Sequence, residues 1–194
     1  LRSNTNGNNN TALGYIALSQ NTTGSRNVAV GNLALRLNEI GNDNTAIGYN
    51  ALYQNIGRTQ ASGTPPGGHW NTAVGSGALY ANTQGYRNTA TGYNALSSNL
   101  TESENSAFGY LALSKNLASG NSGFGNEALA NTTTGTGNSA FGRSSLKLNI
   151  TGYDNTALGS YSLWSNNSYY NTAVGSSSLF QNSSGHDNTA LGFG

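Results

Sequence analysis

The stretch N-T-A-I-G-Y-N-A-L, from Asn44 to Leu52, decides the fold because it returns as N-T-A-V-G-S-G-A-L from Asn71 to Leu79. Aligning the chain on the motif N-T-A-φ-G, where φ is an apolar residue, gives eleven copies across the 194 residues. Successive motif glycines lie 17 residues apart, or 16 in two steps, except for one step of 27. The sequence therefore predicts a repeat protein with a 17-residue unit and one insertion.

The unit is too short for a helical hairpin, which needs about 33 to 45 residues. Its apolar residues also lack sustained helical spacing. Each unit contains two short apolar pieces, around N-T-A-φ and around x-A-L-x, separated by Gly and Asn, which favour turns. We predict an all-β parallel β-solenoid (β-roll) of about eleven coils stacked about 4.8 Å apart, with both pieces extended. We expect one repeat domain over residues 1–194, a segment of a longer fibre, with an inserted loop at 54–70.

Three columns of apolar residues would stack along such a solenoid. The φ residue is apolar in ten of the eleven units, and we expect it to pack in the core. The alanine before it never exceeds a methyl group, which predicts a close approach at that column. A leucine recurs in every complete unit, and we predict that this leucine column is the core: Leu18, Leu35, Leu52, Leu79, Leu96, Leu113, Leu129, Leu146, Leu163 and Leu179.

Asparagine is the commonest residue, with 31 in the chain, and it forms two columns. Stacked Asn side chains can hydrogen-bond along the rod and to corner backbone, so we predict structural ladders. The second ladder is Asn21, Asn38, Asn55, Asn82, Asn99, Asn116, Asn149, Asn166 and Asn182. The first ladder is Asn10, Asn27, Asn44, Asn71, Asn88, Asn105, Asn121, Asn138, Asn155, Asn171 and Asn188.

Charge and composition exclude several classes of function. The chain has 8 Lys and Arg against 7 Asp and Glu and no cysteine. We therefore expect neither nucleic-acid binding nor insertion of this segment into a membrane. Glu102 and Glu104 form the closest acidic pair but have no recurring base or nucleophile beside them, and His69 and His186 fit no zinc spacing. We predict no enzyme activity, catalytic residue, metal or cofactor.

Energetics favour assembly. One leucine and one φ residue per coil bury little area relative to the cost of ordering a 17-residue unit. We therefore predict a parallel homotrimer, with the small alanine columns allowing the chains to approach closely.

The segments Asn44–Leu52 and Asn71–Leu79 resemble the N-S-V-A-I-G motif of YadA-like heads of trimeric autotransporter adhesins, and also repetitive tail-fibre shafts of bacteria and phages. The resemblance covers essentially the whole chain. It implies a left-handed parallel β-roll, a homotrimer, exposure on a cell or virion surface, and a role in cell adhesion. This unit departs from the adhesin motif in its longer coil and in the Thr at the first apolar position.

Three functions remain open at this point. The first is a structural or adhesive module of an extracellular trimeric fibre that attaches to a host cell, prey or another surface. The second is the receptor-binding shaft of a phage or contractile-injection tail fibre. The third, an ice-binding solenoid, rests on a threonine column but lacks the second parallel threonine column expected of an ice-binding face.

Two features predict where a receptor or glycan would bind. The insertion at 54–70 contains Arg58, His69 and Trp70, and loops on rigid scaffolds often carry recognition. The alternative is a loop without a role, with Trp70 capping the coil. A sparse tyrosine column could stack on sugar rings, or could simply pack at the corner: Tyr15, Tyr49, Tyr93 and Tyr110.

Overall fold

The computed structural model describes residues 1–57 and 67–194, and over these ranges the chain is a parallel β-solenoid without helices. One strand from each coil pairs with its equivalents in the coils above and below, so that Ala29 lies beside Ala12 on one side and Ala46 on the other. Eleven strands join in this way in a single parallel sheet. The predicted all-β solenoid with a spacing of about 17 residues is therefore confirmed.

The described residues form thirteen short strands. Two of them, β10 (Ser165–Asn166) and β12 (Gln181–Asn182), pair in a small second sheet. The eleven strands of the long sheet are β1 (Thr11–Leu13), β2 (Val28–Val30), β3 (Thr45–Ile47), β4 (Thr72–Val74), β5 (Thr89–Thr91), β6 (Ser106–Phe108), β7 (Ser122–Phe124), β8 (Ser139–Phe141), β9 (Thr156–Leu158), β11 (Thr172–Val174) and β13 (Thr189–Leu191).

The leucine column and the alanine column together fill the interior. Nine of the ten leucines are completely buried, and Leu179 is partly buried. The alanines between β2 and β11 are buried too, so the expectation that they lie between chains is wrong. Gly123 explains their size: a Cβ at this position would lie 3.3 Å from Cγ of Leu113. The leucines occupy the space beneath the sheet and leave room for no more than a methyl group.

The φ column lies on the outer face of the sheet, contrary to the expectation that it is buried. Side chains alternate along a strand, so an inward alanine places both of its neighbours outward. Leu158 is 49% exposed and Phe141 is 41% exposed. The three-residue strands therefore carry one inward side chain each.

The A-L piece is a tight turn, and the second extended piece predicted for each coil is wrong. Every leucine of the column has a positive φ, between 46° and 52°. This left-handed conformation costs about 1–2 kcal/mol for an L-residue, and burial of a leucine side chain contributes about as much in return. Pairing between coils continues through the turn, since the N–H of Leu18 donates to the carbonyl of Ala34 at 3.0 Å.

Differences in coil length occur at one corner. From each first-ladder Asn to the second-ladder position is always 11 residues. From there to the next first-ladder Asn is usually 6 residues, but it is 5 after Asn116 and Asn166 and 16 after Asn55. We call this stretch the corner segment. Both the shortened coils and the insertion are accommodated within it.

Candidate functional surfaces

The first asparagine ladder lies just before the strands of the long sheet and connects each coil to the next. The Oδ1 of Asn10 accepts the backbone N–H of Asn27 at 2.9 Å, and the equivalent bond recurs at every step up to Asn188. The Nδ2 of Asn10 donates to the carbonyl of Gly24, at 2.7 Å, in the corner segment of its own coil. Each rung thus binds the neighbouring coil and closes its own.

The second ladder ends on the same corner carbonyls. The Nδ2 of Asn21 donates to Gly24 at 2.8 Å and to Oδ1 of Asn4 at 2.7 Å. In the coil that carries the insertion, the carbonyl of Gly68 likewise accepts from Asn44 at 2.8 Å and from Asn55 at 2.9 Å. Buried amides require such partners. The two ladders therefore hold the corner segment whatever its length, which is a structural role.

The second ladder is interrupted in the seventh coil, where Thr132 occupies the asparagine position. Thr132 is fully buried, and its Oγ1 has no hydrogen-bond partner among the described residues. In regular rungs the Nδ2 of one residue donates to Oδ1 of the residue below, as Asn38 does to Asn21 at 2.8 Å. A threonine cannot supply both groups, so this rung is the weak step of the ladder.

The outer face of the long sheet carries an apolar row, which we call the φ stripe. Phe108, Phe124 and Phe141 stack along it with ring centroids 4.7 and 4.8 Å apart. Large exposed apolar patches mark interaction sites on soluble proteins. The full stripe consists of Leu13, Val30, Ile47, Val74, Thr91, Phe108, Phe124, Phe141, Leu158, Val174 and Leu191.

The insertion leaves and rejoins the rod at adjacent residues. Gly57 and Gly68 are so close that a Cβ on Gly68 would lie 2.6 Å from the Cα of Gly57. Arg58, one of the predicted recognition residues, lies outside the described residues.

His69 and Trp70 follow the return point and differ in accessibility. His69 is only 6% exposed, and its Nδ1 accepts the backbone N–H of Asn42 at 3.2 Å. Burial lowers the pKa of His69, against the opposing charge of Asp43. Trp70 is 44% exposed, with the Arg87 guanidinium 5.6 Å from its ring centroid. Of these two predicted contact residues, Trp70 is the one that faces solvent.

Ion pairs between neighbouring coils form one feature that sequence reasoning missed. Arg26 makes two bonds to the carboxylate of Asp43, at 2.6 and 2.7 Å, and this hydrogen-bonded pairing lowers the pKa of Asp43. Arg87 contacts Glu104 at 3.2 Å. Both pairs join residues 17 apart, so opposite charges at the repeat spacing were the available signal. Glu104, considered above as a member of an acid/base pair, is thus paired with a cation.

Comparisons with family models, curated proteins and solved structures give no match to this chain. Within residues 1–57 and 67–194, no group of three or more His, Cys, Asp or Glu side chains could hold a metal ion. The described residues also contain no helix long and apolar enough to cross a membrane.

Proposed function

We propose that this chain is a segment of an extracellular attachment fibre, formed by three parallel copies in a left-handed β-roll and exposed on a cell or virion surface. The observation that carries the proposal is the φ stripe on a regular rod. Ten steps of about 4.8 Å give the eleven coils a length of roughly 48 Å. Such a regular scaffold suits extension from a surface, and the resemblance to adhesin heads and tail-fibre shafts agrees with that use.

The occupant of the φ stripe in this proposal is another copy of the same chain. A stripe that repeats every coil needs a partner with the same repeat, and a parallel copy has it along the full length. Closed symmetry with identical contacts is the usual arrangement of homo-oligomers. Three stripes facing a common axis would remove leucine and phenylalanine side chains from water, which stabilises the assembly by about 25 cal/mol per Å².

Light scattering after size exclusion tests the assembly. The expected mass is about 60 kDa, three times the 20.0 kDa of one chain. Phe141→Asn combined with Leu158→Asn should reduce it to that of one chain. The matched control is Leu117→Asn with Ile150→Asn, which alters side chains of similar exposure in corner segments.

Two results would refute the assembly. A wild-type mass of 20.0 kDa removes the trimer. A φ-stripe double variant that keeps the wild-type mass removes the stripe as the interface. Circular dichroism of both double variants shows whether each remains folded.

Attachment is tested separately from assembly, with labelled protein applied to cells and to a glycan array. Saturable binding by the assembled protein supports an attachment fibre. Binding restricted to bacterial envelopes would favour the tail-fibre shaft over the adhesin. Absence of binding to every cell type and glycan would contradict the attachment role without affecting the assembly result.

A second candidate, ice binding, is favoured by one observation. The residue on the other side of each inward alanine also faces outward, and it is threonine in seven of the eleven strands of the flat sheet. A thermal-hysteresis assay tests it. Activity of the single chain, lost on Thr156→Tyr, would support ice binding, and its absence would exclude it.

A further inference from the structure

The tyrosine column lies one residue after the motif glycine, beyond the bend that ends each strand. Tyr93 and Tyr110, on consecutive coils, stack with ring centroids 5.5 Å apart and planes inclined by 12°. This separation is close to the coil repeat of about 4.8 Å. A ring at this position on each coil therefore continues one aromatic stack.

The stack has a gap between Tyr49 and Tyr93, because the coil between them carries Ser76 and Gly77 instead of an aromatic residue. A cavity of about 360 Å³ lies here, lined by these four residues among others. No side chain can grow into it from Gly77, since a Cβ there would lie 2.0 Å from Oδ1 of Asn94. We call this cavity the tyrosine slot.

The width of the slot matches one ring. Tyr49 and Tyr93 are two coils apart, which places them about 9.6 Å from each other. A ring midway between them would lie about 4.8 Å from each tyrosine, within the range of about 4.5 to 7 Å for stacked rings.

The chemistry of the lining is uncharged and mixed. Tyr80, Asn50 and Ser97 complete the wall, and no Lys, Arg, Asp or Glu is among the described lining residues. The Oδ1 of Asn50 is buried without a hydrogen-bond partner. Its terminal torsion is broad, so a small rotation gives it a hydroxyl donor in the slot. Aromatic faces with amides and hydroxyls around them suit a ring that has apolar faces and a polar edge.

We propose that the tyrosine slot binds one pyranose ring of a neutral saccharide, stacked between Tyr49 and Tyr93. This inference deepens the proposed attachment function and rests on it. A pyranose presents C–H groups on its faces and hydroxyls around its edge, as the slot requires. In a trimer three equivalent slots would lie at one height, so weak single-site affinities would combine on a glycan-bearing surface.

Saturation-transfer NMR with methyl glucosides, galactosides and mannosides of both anomers tests the proposal, with p-cresol as an aromatic probe. A small ligand in one ring-sized site is expected to bind with a Kd in the millimolar range. Ser76→Tyr should abolish binding, because the new ring completes the stack and fills the slot. Tyr93→Ala should weaken binding about tenfold, the factor that corresponds to the loss of one aromatic contact.

Two matched variants serve as controls. Asn32→Tyr adds a ring at the same column one coil below Tyr49, and Tyr110→Ala removes the ring on the far side of Tyr93. Neither Asn32 nor Tyr110 lines the slot. Both variants should bind like the wild type.

The outcomes separate clearly. Pyranoside binding that Ser76→Tyr removes and Asn32→Tyr preserves supports the slot. No binding of any pyranoside, equal binding by Ser76→Tyr, or binding of p-cresol alone overturns it. The mass and cell-attachment measurements on the same wild-type protein report on the fibre independently, so a failed slot is distinguishable from a failed attachment function.

Discussion

Replacing Thr132 with Asn should stabilise the rod by completing the second ladder. The buried Oγ1 of Thr132 has no partner among the described residues. An asparagine at this position would donate to the carbonyl of Gly135, as Asn149 donates to Gly152 at 2.9 Å. Its Oδ1 would accept from the Nδ2 of Asn149, which repeats the bond found in regular rungs.

The magnitude follows from these two bonds. Each buried hydrogen bond contributes about 0.5–1.5 kcal/mol net, so the gain is about 1–3 kcal/mol. For a chain of this size that is a rise in Tm of about 2–4 °C for each kcal/mol. Thermal denaturation followed by circular dichroism measures it, with Thr134→Asn, an exposed neighbour, as the control. A Thr132→Asn variant no more stable than this control would refute the ladder as a source of stability.

Three further changes test the coil stacking, the insertion and His69. Gly92→Ala should abolish regular stacking, because a Cβ would lie 2.3 Å from the carbonyl oxygen of Gly109 and φ is 134°; circular dichroism showing an equally stable fold would contradict this. Deleting residues 58–67 should leave the rod folded, since it restores a corner segment of the usual length. The deletion should weaken attachment to cells that the full chain binds; unchanged attachment would place recognition elsewhere. Lowering the pH from about 7 to about 5 should reduce the free energy of unfolding, because burial keeps the pKa of His69 below its ordinary value of 6.5 and only the unfolded chain gains the proton in that range. Urea titrations of His69→Asn should show a flatter pH profile, and a profile as steep as that of the wild type would exclude His69 as the cause.

The repeat spacing was sufficient to predict the solenoid because a strict period allows few architectures. The assignment of faces was wrong for a physical reason. A three-residue strand has one inward side chain, and hydrophobicity alone favoured φ over Ala12 and its equivalents for that place. The backbone of the A-L turn was also not predictable, since Leu is an unusual residue at positive φ.

The tyrosine slot could not be found from the tyrosines alone. Its existence depends on Ser76 and Gly77 lying between two aromatic coils, which becomes meaningful only when residues 17 and 27 apart are known to stack. The buried position of His69 was likewise invisible, because it depends on the return of the chain beside Asn42.

The division of each coil into a stretch of fixed length and a corner segment has an evolutionary consequence. Deletions of one residue and an insertion of ten are both found at the corner, while the 11-residue stretch is unchanged throughout. Because the chain departs and rejoins at Gly57 and Gly68, added sequence does not alter the register of the coils above. Lengthening a loop adds only slowly to its closure entropy. New binding elements can therefore be gained or exchanged at this corner without redesign of the rod, and the same corner is the natural place to graft a foreign peptide for display.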